Sequence, residues 1–302
     1  MPSPSPVWSS AIFVGQDPAG EAWQLPSDPA VLLDPSRISL AADGVHTIAD
    51  PFVFAHPDSD ELYLFAEVQR SRRPGRIEAW RIDADRTLRA LGEVAMGPSH
   101  LSYPSVFHSG GETFIIPESG SAEWNEGLGE VALYRFTAFP TEVEKVAVLL
   151  AGSYVDSSVV HWNGLWYLFT YLDGEGLLFL SESLDGPYRM HPGSPFSSDD
   201  SYARSGGAVI LPTAQRPFPL RPAQNCSASY GGDLSLMKIT DWNADSYREE
   251  AWAEDIVAGQ FSWAATGGHH MSQCRWRGQT VTALDGRQND RLISRLARAV
   301  RR

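Results

Sequence analysis

Cysteine is scarce: Cys226 and Cys274 are the only two in 302 residues. Two thiols make neither a disulfide framework nor a zinc pattern, and both are expected to be free. No stretch approaches the roughly 20 apolar residues of a membrane span. The opening MPSPSPVWSS has no basic segment leading into an apolar run, which argues against a secretory signal and for a soluble, cytoplasmic protein. Basic residues are outnumbered, 24 Lys and Arg against 37 Asp and Glu, for a formal charge of −13. Such a surface repels nucleic acid and excludes it as a broad partner. The glycine pairs Gly206-Gly207, Gly231-Gly232 and Gly267-Gly268 lack dinucleotide and Walker spacing. They read as turns or close approaches, and no cofactor is expected.

What is present is apolar and aromatic. Hydrophobic residues make up 43% and charged residues 20%, enough for a real core. Ten Trp, 10 Tyr and 13 Phe suit β-structure and also suit sugar binding, where rings stack on the apolar faces of sugars.

The chain repeats. Asp50-Pro51-Phe52-Val53-Phe54, Tyr103-Pro104-Ser105-Val106-Phe107 and Asp156-Ser157-Ser158-Val159-Val160 begin 53 residues apart. Each is followed by a turn signal and a second strand, and these end at Glu67, Glu118 and Tyr171, offset by 51 and 53. Weaker copies start at Ala203-Arg204-Ser205 and Gly268-His269-His270, with second strands ending near Gln224 and Asp285. Units of about 50 residues with three or four strands are propeller blades. Five starts predict an all-β, five-bladed β-propeller over residues 45–287. Residues 1–44 read as an N-terminal extension whose strand around Trp8 to Val14 is placed to close the ring against the last blade.

In a propeller the first strand of each blade lines the channel and the second runs antiparallel beside it. The start of one lies next to the end of the other. Asp50 is therefore expected near Glu67, Tyr103 near Glu118, Asp156 near Tyr171, Arg204 near Gln224, and His269 near Asp285, all around one mouth. A single Asp at a strand start is usually a turn residue. Five blades each placing a functional group at the same edge point instead to a site. Carboxylates gathered there push one another's pKa values apart, which is what glycosyl transfer needs from an acid and a base.

These segments resemble a known group. Ala49-Asp50-Pro51-Phe52, His100-Leu101-Ser102-Tyr103-Pro104, Ile116-Pro117-Glu118-Ser119, Val155-Asp156-Ser157-Ser158 and Arg221-Pro222-Ala223-Gln224-Asn225-Cys226 through Tyr230-Gly231 are similar to the propeller domain of glucosamine inositolphosphorylceramide transferase and its bacterial relatives. That domain is in turn similar to the family 43 glycoside hydrolases. The resemblance implies that Asp50 is the general base and that Asp156 is the second Asp, which tunes and orients the acid. Where those hydrolases carry a Glu as general acid, this chain has Arg204, which cannot donate a proton at neutral pH. Glu118 is the best remaining carboxyl for that role. Arginine instead suits a phosphate-linked donor, gripped bidentately and helped by His269 or His270. The expected function is glycosyl transfer or hydrolysis at the mouth, with a nucleotide-sugar or other carbohydrate as substrate. In the resembled eukaryotic protein a separate domain carries the recognised glycosyltransferase fold, so a non-catalytic glycan-binding module stays open as the alternative.

Further features complete the expected site. His100, Tyr103, Tyr171, Gln224 and Asp285 join it as substrate contacts, and Trp124, in Glu123-Trp124-Asn125-Glu126, sits in a loop on the same face that could stack on a sugar. Adjacent His269 and His270 point to opposite faces of a strand and rarely share an ion, so no metal is expected. The tail, 288–302, holds five arginines from Arg291 onward, with Leu292, Ile293, Leu296, Ala299 and Val300 near one helical face. It reads as a short basic helix that packs on the rim or touches a membrane surface or protein partner.

Overall fold

The computed structural model describes residues 7–20, 22–35, 44–70, 73–119 and 129–288. The expected C-terminal helix and Trp124 lie outside the described residues. Within them the protein is all β, with nineteen strands and a single 3-10 turn at Ser262–Ala264. None of its described helices is long and apolar enough to cross a membrane.

The strands run as successive antiparallel sheets. Strand β1 (Val7–Gly15) and the short β2 (Val31–Leu33) come first, followed by β3 (Val45–Ala55), β4 (Leu62–Arg70), β5 (Arg76–Ile82) and β6 (Leu88–Glu93). The next sheet holds β7 (Ser102–Ser109), β8 (Glu112–Glu118), β9 (Glu130–Ala138) and β10 (Glu142–Ala151). A third holds β11 (Val155–Trp162), β12 (Leu165–Leu172), β13 (Glu175–Ser181) and β14 (Arg189–Met190). A fourth holds β15 (Leu220–Asn225), β16 (Asp233–Trp242) and β17 (Tyr247–Ala253). The last hairpin is β18 (Met271–Trp276) with β19 (Gln279–Gln288). Strand β1 lies antiparallel along β19 over its whole length and touches β3 in parallel at Trp8 and Thr47, so it joins the last hairpin to the first sheet.

Five apolar clusters hold the sheets face to face, and each spans one pair of neighbours. One packs Ile12, Leu33, Val281 and Ala283 against Ile48, Leu64 and Trp80. The next packs Phe52 and Phe65 against Leu101, Tyr103 and Ile115. Others join β8 and β9 to β11–β13, then β12 and β13 to β16 and β17. The fifth joins β15 and β16 to β1, β18 and β19 through Leu220, Leu236, Phe13 and Leu284. Burying a Leu, Ile or Phe contributes about 1.5–3 kcal/mol, so these interfaces dominate the stability.

The inner strands carry one repeated irregularity. In β3, Asp50 and Pro51 lie between the pairs Ala49–Glu67 and Phe52–Phe65, so two residues face one on β4. Strand β7 does the same with Tyr103 and Pro104, between Ser102–Glu118 and Ser105–Ile116. Strand β11 repeats it with Asp156 and Ser157, between Val155–Tyr171 and Ser158–Phe169. The first bulged residue has positive φ each time: 51° at Asp50, 44° at Tyr103 and 51° at Asp156. Asp tolerates this left-handed conformation; Tyr adopts it at a cost of about 1–2 kcal/mol, met here by full burial of its ring. Proline at the second bulge position costs no ladder bond there.

Candidate active site

The five predicted pairs do meet at one end of the inner strands, with one change of register. Because of the bulges, Ala49, Ser102 and Val155, not Asp50, Tyr103 and Asp156, stand opposite Glu67, Glu118 and Tyr171. The Gln224 N–H donates to the Arg204 carbonyl at 2.9 Å, and the Asp285 N–H to the His270 carbonyl at 3.2 Å. Around them lies a cavity of about 380 Å³.

The bulges aim the acids. Asp50 is buried, and its Oδ2 accepts the Tyr103 N–H at 3.1 Å. The Asp50 N–H in turn donates to Asp285 Oδ2 at 3.1 Å, and the Asp156 N–H donates to Glu118 Oε2 at 3.1 Å. Burial pushes the Asp50 carboxyl up to about 7, opposed by His269 and reinforced by Asp285 and Asp156. Burial, then the Asp156 charge, pushes Glu118 up to about 8, with Arg204 pulling the other way. Glu67 lies well above the carboxylate range for the same reason, with Asp50 and Glu118 adding to the effect.

Arg204 caps Asp156. Its Nε hydrogen-bonds Asp156 Oδ2, which also accepts from Gln224 Nε2 at 2.9 Å. The guanidinium lies over the rings of Tyr230 and Tyr171, 4.9 and 5.5 Å from their centroids. Its two Nη groups make no hydrogen bond to the described residues, and Arg204 lines the cavity.

Glu67 is placed by a glycine. A Cβ on Gly75 would lie 2.1 Å from Glu67 Oε1 and 2.8 Å from His100 Cε1. The Gly75 N–H donates to His100 Nδ1 at 2.9 Å, which puts the neutral ring's proton on Nε2, 3.7 Å from Glu67 Oε1.

On the far side, His269 stacks on Trp8 with ring centroids 4.2 Å apart. Its Nδ1 lies 2.6 Å from Asp285 Oδ2 and its Nε2 3.7 Å from Asp50 Oδ1. Burial disfavours its charge, but Asp285 and then Asp50 outweigh burial and raise it to about 9. Asp285 Oδ1 accepts the N–H groups of His269 and His270 at 2.8 and 3.0 Å. Asp50, His269 and Asp285 could bring ligand atoms within 4.8 Å of one another. Three backbone N–H groups, those of Asp50, His269 and His270, already hold the Asp285 oxygens.

Of the residues picked from sequence, Asp50, Glu67, His100, Glu118, Asp156, Arg204 and His269 line the cavity. Tyr103, Tyr171, Gln224, His270 and Asp285 do not, and act from behind it. The Tyr103 ring is fully buried against Phe52 and His270. Tyr171 carries Arg204, and Gln224 is spent on Asp156 and the Ser205 carbonyl. His270 is sealed in the core and pushed down to about 3 by burial, so it is neutral and is not the phosphate ligand expected of it. Reading by motif missed Trp8, His46, Thr47, Gln69, Ser102 and Tyr230. The alternation of β3 and β4, which sets Thr47 and Gln69 opposite each other, was the available signal.

The fold and this mouth define the class: an all-β propeller with a buried acidic cavity capped by arginine. The fold is that of family 43 glycoside hydrolases. A thermostable member superposes with a TM-score of 0.60 at 12% identity, covering 83% of this chain and 94% of that one. The exo-β-1,3-galactanase 1,3Gal43A from Clostridium thermocellum gives 0.58 at 13% identity, over 78% and 56%. The family profile described as glucosamine inositolphosphorylceramide transferase 1, N-terminal, matches residues 8–287, and the chain belongs to that family. Glucosamine inositolphosphorylceramide transferase 1 of Oryza sativa subsp. japonica is 32% identical over 255 residues, 79% of this chain and 33% of that protein. The Arabidopsis thaliana protein of the same name is 28% identical over 314 residues, 95% of this chain and 39% of that protein. The chain thus spans little more than a third of the curated relatives it matches.

Proposed function

We propose that the sheets form five blades around one channel and that the cavity at its mouth is a carbohydrate site for glycosyl transfer. Five interface clusters, with β1 shared between the last hairpin and the first sheet, support the blade count. The observation that carries the function is the convergence of Asp50, Glu67, Glu118 and Asp156 with Arg204 in one cavity. Asp50, held near 7, suits a general base, since such groups work best with a pKa near the ambient pH. Glu118, held near 8, is protonated at neutral pH and suits the acid. Arg204 lines the cavity with neither Nη group bonded to the described residues, which suits it to a donor's phosphate, and its Nε bond to Asp156 holds the guanidinium in place. Transfer from a phosphate-linked donor to an acceptor hydroxyl is therefore favoured over hydrolysis.

A second reading, glycan binding without turnover, draws on the share of the relatives that this chain spans. One experiment separates them. Wild type, Asp50→Asn and Arg204→Ala are screened by thermal shift and turnover against nucleotide sugars, sugar 1-phosphates and neutral oligosaccharides. A bound ligand raises the melting temperature by an amount that grows with the logarithm of its affinity. Asp50→Asn should keep binding and lose turnover. Arg204→Ala should cost about 3 kcal/mol of transition-state stabilisation with phosphate-linked donors. Full activity in Asp50→Asn refutes the base; binding with no turnover by any variant establishes the binding module.

A further inference from the structure

We propose that Asp285 and His269 are positioning residues for Asp50, forming a buried acid–imidazolium–acid line that favours the ionised Asp50 and fixes it in the cavity. The inference rests on the reading of Asp50 as base. Asp285 contacts both ends of the line: Oδ2 lies 2.6 Å from His269 Nδ1 and also accepts the Asp50 N–H at 3.1 Å. Oδ1 anchors the His269 and His270 N–H groups, so the carboxylate cannot rotate without breaking two backbone bonds. His269 reaches across with Nε2 3.7 Å from Asp50 Oδ1, and the Tyr103 N–H holds the other Asp50 oxygen. The ring has little freedom to turn. Trp8 stacks on one face and Tyr230 meets it edge-on at 5.3 Å. A Cβ on Gly231, at φ 60°, would strike Trp8 at 2.6 Å and lie 3.4 Å from His269 Cβ, so this packing requires glycine.

The titratable groups facing His269 are Asp285, Asp50, Asp156, Glu67, Tyr230 and His270. Four are acids and His270 is neutral, so the imidazolium is the nearest positive charge to Asp50. Without it, burial and the Asp285 and Asp156 charges act on Asp50 against the Tyr103 N–H alone and push its pKa higher.

The test needs no substrate. Asp 13Cγ and His 13Cε1 resonances, assigned through Asp50→Asn and His269→Gln, are followed by pH titration in the ligand-free protein. In wild type His269 should stay charged to about pH 9, with Asp50 titrating at about 7. In His269→Gln the Asp50 midpoint should rise by about one pH unit or more. In Asp285→Asn the His269 midpoint should fall, and Asp50 should rise with it. A wild-type His269 that titrates at an ordinary imidazole value overturns the proposal even if neither variant folds. So does an Asp50 midpoint unmoved in a folded His269→Gln. Glycan binding or turnover can fail while these shifts appear, which would refute the base assignment and leave the line intact.

Discussion

Glu118→Gln separates a buried neutral acid from a buried carboxylate. Glu118 is buried, with its pKa raised from 4.5 to about 8. A raised acid is protonated in the fold while already ionised in the unfolded chain, so its contribution to stability is full at low pH. It is lost as pH rises from about 4.5 through about 8. Each unit of divergence is worth about 1.4 kcal/mol, so between pH 5 and 7 the wild type loses about 2–3 kcal/mol through this group. Glutamine keeps the same outline, and its amide oxygen still accepts the Asp156 N–H, but it has no proton to lose. The variant should therefore match wild type near pH 5 and exceed it at pH 7. For a domain of this size the gap corresponds to about 5 °C. Calorimetry of both proteins at pH 5, 6 and 7 at constant ionic strength reads this directly. A melting difference that stays constant over that range would mean that Glu118 is ionised in the fold, and Glu118 would be lost as the acid.

Other substitutions test single contacts. Gly75→Ala should displace Glu67 and His100 at a cost of about 1–3 kcal/mol, seen as a lower melting temperature and weaker ligand binding; an unchanged protein would disprove the close approach. Arg204→Ala strands the buried Asp156 carboxylate and should destabilise by about 3–5 kcal/mol in urea unfolding. Arg204→Ala with Asp156→Asn should recover much of that loss, and strict additivity would refute the pairing. Cys226 and Cys274 are both unpaired, so thiol titration of the denatured, unreduced protein should find two; finding none would contradict the structure.

The repeat was legible because polar bulge starters recur every 53 residues and the second strands end in Glu or Tyr. What spacing could not show was the direction of each side chain. Asp50 and Tyr103 are equivalent by repeat, yet the carboxylate enters the cavity while the phenol ring packs beneath it against Phe52. At that bulge Ser102, the residue before the bulged pair, lines the mouth where the buried Tyr103 ring does not. Trp8 was legible only as part of a possible ring-closing strand. Its place beside His269 depends on Gly231 and on the pairing of β1 with β19, contacts between distant parts of the chain.

The bulges also give the mouth a direction. Asp285 receives a donor from Asp50, Asp50 from Tyr103, Glu118 from Asp156, and Asp156 from Arg204 and Gln224. The Gly206 carbonyl receives the Met271 N–H at 2.7 Å and completes the circuit. In these bonds the acceptor precedes the donor around the mouth, while Ser272 Oγ donates the other way, to the Pro51 carbonyl at 2.6 Å. Losing the Asp50 carboxylate should orphan the Tyr103 N–H on one side and take a partner from His269 on the other. Asp156 also acts on Asp50 across the intervening sheet, so the functional groups of this mouth change as a set and not one at a time.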